Sequence, residues 1–113
     1  MNTSKRVLLV EDDPKFRFAL ESILESHGYQ VTAAPSAEEA RKLNGDHFAA
    51  AIVDVRLPQE KGTAFARDLR ARHGHIKIIF VTAYDDLEKP ESRIEGASVL
   101  VKPIETEALL KLL

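Results

Sequence analysis

Five short apolar runs are spaced along the chain, and helix-patterned stretches follow them. Arg6–Val10 (RVLLV) has β-branched residues and reads as a buried strand. It stops at Glu11-Asp12-Asp13-Pro14, where Pro14 suits the first turn of a helix and Asp13 its N-cap. Phe16, Ala19, Leu20, Ile23 and Leu24 then recur at helical spacing, and Gly28 closes the helix. A second strand is expected over Tyr29–Ala34. Ser36-Ala37-Glu38-Glu39 matches a capping box and opens a second helix, predicted to end near Asn44-Gly45. Ala49–Val53 is a third apolar run. Thr63 opens a third helix, with Phe65, Ala66 and Leu69 inward and Gly74 at its end. Ile76–Val81, apolar except for Lys77, and Val99–Val101 supply strands four and five. The charged stretch Asp85–Glu95 between them predicts a short or irregular helix, and Thr106–Leu113 predicts a last one. Strand and helix thus alternate five times with short links. This pattern predicts an α/β domain with a parallel sheet and helices on both faces.

Composition narrows the class. The 113 residues suit one domain with a single core, with 44% apolar and 30% charged residues. A net charge of −2 gives no sign of a nucleic-acid surface. Cysteine is absent, so disulfides and thiolate metal sites are excluded, in keeping with a cytoplasmic location. No apolar run approaches the roughly 20 residues that span a bilayer. The four histidines, at 27, 47, 73 and 75, form no zinc spacing and fall near element ends.

In a parallel sheet with right-handed crossovers, every strand's carboxyl end lies on one rim, where ligands bind. The residues ending the apolar runs are Glu11, Asp12 and Asp13, then Asp54, Thr82 and Lys102. If strands one, three, four and five are neighbours, these groups converge. Charges about 4 Å apart interact by roughly 4 kcal/mol at an intermediate dielectric, so clustered acids need a counter-charge. Mg²⁺ favours such oxygen ligands. Lys102 brings a point charge suited to a phosphoryl oxygen, and Thr82 a hydroxyl donor. Asp54 can then act as a nucleophile forming an aspartyl-phosphate. Each residue also has a plain structural reading. The three acids can cap the first helix, as we read Asp13, while Thr82 can simply end a strand. Lys102 can be a solvated cation, and Asp54 a turn residue. Those readings must hold separately at four strand ends, whereas one phosphoryl pocket accounts for them together.

The motifs VLLVEDDP, IVDVRLPQEKG, VTA and GA…VKP, in this order, resemble the receiver domain of bacterial two-component response regulators over nearly the whole chain. The resemblance implies a flavodoxin-like (βα)5 fold with strand order 2-1-3-4-5. It implies that Asp54 accepts a phosphoryl group from a sensor histidine kinase or phosphotransfer protein. Glu11 and Asp12 match the acidic pair that holds Mg²⁺, joined by Asp54 and the backbone carbonyl of Arg56. The extra methylene of Glu11 suggests that it acts through water while Asp12 ligates directly. Thr82 matches the switch hydroxyl, and Lys102 the pocket lysine, with a cis bond to Pro103.

The chain also departs from that family. Val99 stands where an aromatic residue usually accompanies the switch. Pro90 falls where the helix between strands four and five should run, at about 3 kcal/mol for an interior position. That helix is therefore expected to be short, displaced or partly unwound, next to the face that usually serves output and homodimer formation. Arg56 and Tyr84 flank the pocket and are expected to shield it from water, slowing self-dephosphorylation. A receiver-like interaction module acting independently of phosphorylation is the main alternative. A Mg²⁺-dependent phosphatase usually carries a second Asp two residues after the nucleophile, where this chain has Arg56. A nucleotide-binding flavodoxin-like protein needs a Gly-rich first loop, where this chain has acids. The apolar run at Leu109–Leu113 suggests a receiver trimmed from a longer regulator with an output domain, the alternative being a stand-alone receiver. The domain itself is expected to bind neither nucleic acid nor membrane.

Overall fold

The computed structural model describes residues 5–43, 48–83 and 94–113. Strands β1 (Arg6–Val10), β2 (Gln30–Ala34), β3 (Ala50–Asp54), β4 (Lys77–Thr82) and β5 (Ser98–Val101) form one sheet, in the order β2-β1-β3-β4-β5. All four neighbouring pairs are parallel. The described helices are α1 (Pro14–Ser26), α2 (Ala37–Arg41), α3 (Gly62–Arg72) and α4 (Thr106–Leu112). The parallel sheet is what the alternating pattern predicts, and the strand order is the flavodoxin-like one that the resemblance implies.

Period-2 alternation divides the apolar runs between two cores. Leu8, Val10, Ala51, Val53, Ile78 and Phe80 pack on the side of α2 and α3, with Ala37, Ala40, Phe65, Ala66 and Leu69. Val7, Leu9, Ile52, Ile79 and Val81 pack on the other side, with Leu20 and Leu24 of α1 and Leu109 of α4. Both faces of β1, β3 and β4 are thus covered. Their runs are accordingly almost continuous in apolar residues rather than alternating with polar ones.

The helix ends follow their local chemistry. The Asp13 side chain accepts from Lys15 N, and Pro14 occupies the first helical position of α1. At its other end Gly28 (φ 92°) donates to Glu25 O, and Tyr29 N reaches back to Leu24 O. That paired closure is a Schellman motif, which places the chain to enter β2. The Ser36 side chain accepts from Glu39 N, as the capping box predicts. The helix expected to reach Asn44-Gly45 stops at Arg41. Lys42 N and Leu43 N turn to the carbonyls of Glu39 and Ala40, three residues back, and so tighten the last turn. Asn44, Gly45 and His47 lie outside the described residues. So do residues 84–93, which hold Tyr84, Pro90 and most of the helix expected between β4 and β5. Just beyond them, a turn closed by Ala97 N and Ile94 O, with Gly96 at φ 78°, leads into β5.

Candidate functional site

The carboxyl ends of β1, β3, β4 and β5 meet on one rim, and the register sets what meets there. Asp54 pairs with Val81, Thr82 pairs with Val101, and Val10 pairs with Val53. Glu11 continues the parity of Val7 and Leu9, Asp54 that of Ile52, and Lys102 that of Leu100. All three therefore belong to the α1/α4 side of the sheet. Thr82 shares the parity of Ile78 and Phe80 and belongs to the α2/α3 side.

Lys102 is the hub of the group. Its Nζ lies 3.2 Å from Asp54 Oδ2 and 3.4 Å from Glu11 Oε1. The Lys102–Pro103 bond is cis, as the resemblance implies. Asp54 Oδ1 accepts from Arg56 N at 2.9 Å, and Glu11 Oε2 accepts from Asp13 N at 3.0 Å. Both carboxylates are almost fully buried, with side-chain exposures of 7% for Asp54 and 2% for Glu11. Asp12 is exposed at the mouth of the pocket. One carboxylate oxygen from each of Glu11, Asp12 and Asp54 can be chosen so that all three lie within 4.8 Å of one another. Such a set of hard oxygen donors suits a divalent cation such as Mg²⁺.

Burial is the main reason the Glu11 carboxyl is pushed up to about 7, and the neighbouring Asp54 adds to it. The Asp13 amide and Lys102 oppose the shift only in part. For Lys102, burial works against the charged form. The Asp54 and Glu11 carboxylates outweigh it and hold the ammonium above the ordinary lysine value.

The structure brings Glu11, Asp12, Asp54 and Lys102 into one pocket. Thr82 is buried at the adjoining strand end, and its hydroxyl donates to Ala83 O at 3.2 Å. Arg56 is exposed directly after the Asp54 strand end, while Tyr84, the other expected shield, lies outside the described residues. Val99 is 39% exposed on β5. Two neighbours of the pocket carry no signal of that place in the sequence. Arg17 Nη1 donates to Glu11 O at 2.8 Å and so anchors the end of β1. The Phe16 ring lies against Lys102, 4.5 Å from Nζ to the ring centroid. Helical spacing marks Phe16 as inward-facing, but only the strand order shows that inward here means toward the β5 end.

The response regulator receiver domain family matches residues 7–113. The chain belongs to that family. This receiver domain is 38% identical over 110 residues to the response regulator protein FleR of Pseudomonas aeruginosa, covering 95% of this chain and 23% of that protein. It is 33% identical to nodulation protein W of Bradyrhizobium diazoefficiens, over 96% of this chain and 49% of that protein. It therefore spans less than half the length of either relative. Among solved structures, a CheY-like response regulator receiver domain protein from Methanospirillum hungatei superposes with a TM-score of 0.86 at 33% identity. That match covers 96% of this chain and 90% of the other. The response regulator protein TrrA of Thermotoga maritima, solved in complex with Mg²⁺-BeF, gives 0.82 at 31% identity, covering 96% and 99%.

Proposed function

We propose that this receiver domain accepts a phosphoryl group on Asp54 from a sensor histidine kinase or phosphotransfer protein. The modified domain then changes conformation to control an output, carried either on the same polypeptide or by a separate target. The observation that carries this reading is the buried Asp54 carboxylate, 3.2 Å from a lysine ammonium and clustered with two more acids. A purely structural sheet end has no need of that combination.

On this reading one Asp54 oxygen forms the new O–P bond while the bond from phosphorus to the donor's leaving group breaks. The bonding pair leaves with the donor. Lys102 neutralises charge on the acceptor and the incoming phosphoryl oxygens. The Arg56 amide fixes the rotation of the Asp54 carboxylate through Oδ1. Glu11, Asp12, Asp54 and the Arg56 carbonyl would hold Mg²⁺. When bound, that ion supplies positive charge against the acids and the transferring phosphoryl group. The Thr82 hydroxyl, here donating to Ala83 O, is the group that exchanges this bond for one to a phosphoryl oxygen. That exchange would bias the loop after β4 toward a second conformation.

The test is intact mass after incubation with a small phosphodonor, with and without Mg²⁺, using Asp54→Asn as control. A Mg²⁺-dependent gain of one phosphoryl group that the variant loses is expected. No gain under any condition refutes the acceptor reading and favours an interaction module independent of phosphorylation.

A further inference from the structure

A lysine ammonium on a four-carbon stem has many rotamers and is strongly hydrated, so holding it at one spot needs more than a nearby carboxylate. Lys102 is 29% exposed and therefore within reach of water. Its Nζ has Asp54 and Glu11 as carboxylate neighbours, at 3.2 and 3.4 Å. The face of Phe16 lies 4.5 Å away, as a third neighbour. An aromatic face attracts a cation without accepting a conventional hydrogen bond. It can hold the ammonium in place while leaving the N–H donors to the carboxylates and, later, to a phosphoryl oxygen.

Phe16 is placed for this by its helix. It stands in the first turn of α1, directly after the acidic loop, and packs partly buried against the core on the α1/α4 side. Phe18, two residues on, points outward and is 70% exposed. α1 therefore presents one phenyl ring to solvent and the other to the lysine. Apolar packing explains why Phe16 is half-buried. It does not require an aromatic ring at this position, since a leucine fills the same face.

We infer that Phe16 is a positioning residue for Lys102, its ring holding the ammonium over the Asp54 carboxylate and so setting the rate of phosphoryl transfer. The inference rests on the acceptor reading of Asp54. Once Asp54 carries the phosphoryl group its pairing with Lys102 changes, whereas Phe16 takes no part in the bonds made or broken.

The experiment compares the wild-type chain with Phe16→Leu, which keeps apolar bulk, and Phe16→Tyr, which keeps the π face. Two readouts are taken. The first is the NMR shift of the Lys102 εCH₂ protons without metal or donor, assigned by their loss in Lys102→Met. A ring-current displacement toward high field is expected in the wild type and Phe16→Tyr, and its loss in Phe16→Leu. The second is the rate of phosphorylation by acetyl phosphate with Mg²⁺. Phe16→Leu is expected to be slower by about 3- to 10-fold, and Phe16→Tyr to stay within about 2-fold of wild type. A wild-type Lys102 with no ring-current shift overturns the inference, even if Phe16→Leu fails to fold. So does a Phe16→Leu protein that phosphorylates at the wild-type rate. A wild type that takes no phosphoryl group overturns the acceptor reading and the positioning role with it. A phosphorylating wild type with an unaffected Phe16→Leu removes the positioning role alone.

Discussion

A Cβ added to Gly62 would lie 1.9 Å from the Asp54 carbonyl oxygen and 3.1 Å from Val53 Cγ1. The Gly62 amide already donates to Val55 O at 2.8 Å. The obstacle is backbone at the end of a fully buried strand, so it cannot swing aside as a flexible side chain would. Gly62→Ala must therefore push α3 away from β3 or displace the Asp54 peptide. Overpacking of this kind costs about 1–3 kcal/mol, and a contact with rigid backbone belongs at the upper end. Urea unfolding should show a loss of about 2 kcal/mol or more, and a loss below about 0.5 kcal/mol would mean that the loop gives way freely. The sequence marks Gly62 by its place eight residues after Asp54, but only the structure shows that its missing side chain is what lets α3 start against the strand. The same limit applies to Lys102. Its position before Pro103 is legible in sequence, while its simultaneous approach to Glu11 and Asp54 depends on strands far apart along the chain.

Between β3 and α3, residues 55–61 carry the groups that follow Asp54, and an antiparallel bridge between Arg56 and Lys61 closes the loop. Gln59 sits at φ 70°, a left-handed conformation that costs a non-glycine residue roughly 1 kcal/mol or more. Its neighbour Glu60 is pinned from outside the loop. Arg41 of α2 forks onto it, Nη1 to Oε1 at 2.5 Å and Nη2 to Oε2 at 2.7 Å, and reaches Asp68 of α3 at 2.8 Å. Arg41 also stacks on Phe65, 5.3 Å from the ring centroid. The hydrogen bonds to Arg41 hold the Glu60 carboxyl below its ordinary value, and those to Glu60 and then Asp68 raise Arg41. The clamp thus ties α2, the loop and α3 together. Arg41→Ala should cost about 1 kcal/mol at neutral pH, the expectation for a partly exposed pair with bidentate geometry. A depressed carboxyl stabilises the fold above its unfolded pKa and loses that contribution as pH falls through the folded one. The deficit of Arg41→Ala relative to wild type should accordingly shrink on acidification, as read from urea midpoints. A deficit independent of pH would assign the effect to lost packing on Phe65. The strands β1, β3 and β4 are visible in the sequence as apolar runs, to within a residue or so, because burial on both faces leaves no polar alternation to blur them, whereas the edge strands β2 and β5 are only partly buried and carry a weaker signal. The clamp is not visible there, because Arg41, Glu60 and Asp68 are spread over 28 positions with no periodicity linking them.

At the scale of the molecule, the order β2-β1-β3-β4-β5 gathers the acids of β1 and β3 with the lysine after β5 on one rim, so folding itself forces like charges together. The consequence is a linkage between pH and stability, which the proposed Mg²⁺ site would extend to the ion. Glu11 has an ordinary value of 4.5 and is pushed up to about 7 in the fold, chiefly by burial. A raised carboxyl binds its proton more tightly in the folded than in the unfolded state. Its stabilising contribution is therefore complete below pH 4.5 and is lost as pH rises through about 7. The metal-free domain should lose on the order of 3 kcal/mol from this source across that interval. On the proposed site, Mg²⁺ would need the charged carboxylate and compete with that proton, so its stabilisation should grow over the same range. Thermal melts at pH 5 and pH 8 should show a small Mg²⁺-induced rise in Tm at pH 5 and a larger one at pH 8. Glu11→Gln, with a neutral side chain of similar shape, should flatten the metal-free profile between the two pH values and weaken the response to Mg²⁺. An equal Mg²⁺ effect at both pH values would place the ion away from Glu11. A metal-free wild type no less stable at pH 8 than at pH 5, with Glu11→Gln showing the same profile, would mean that the buried acid relaxes toward water when it ionises.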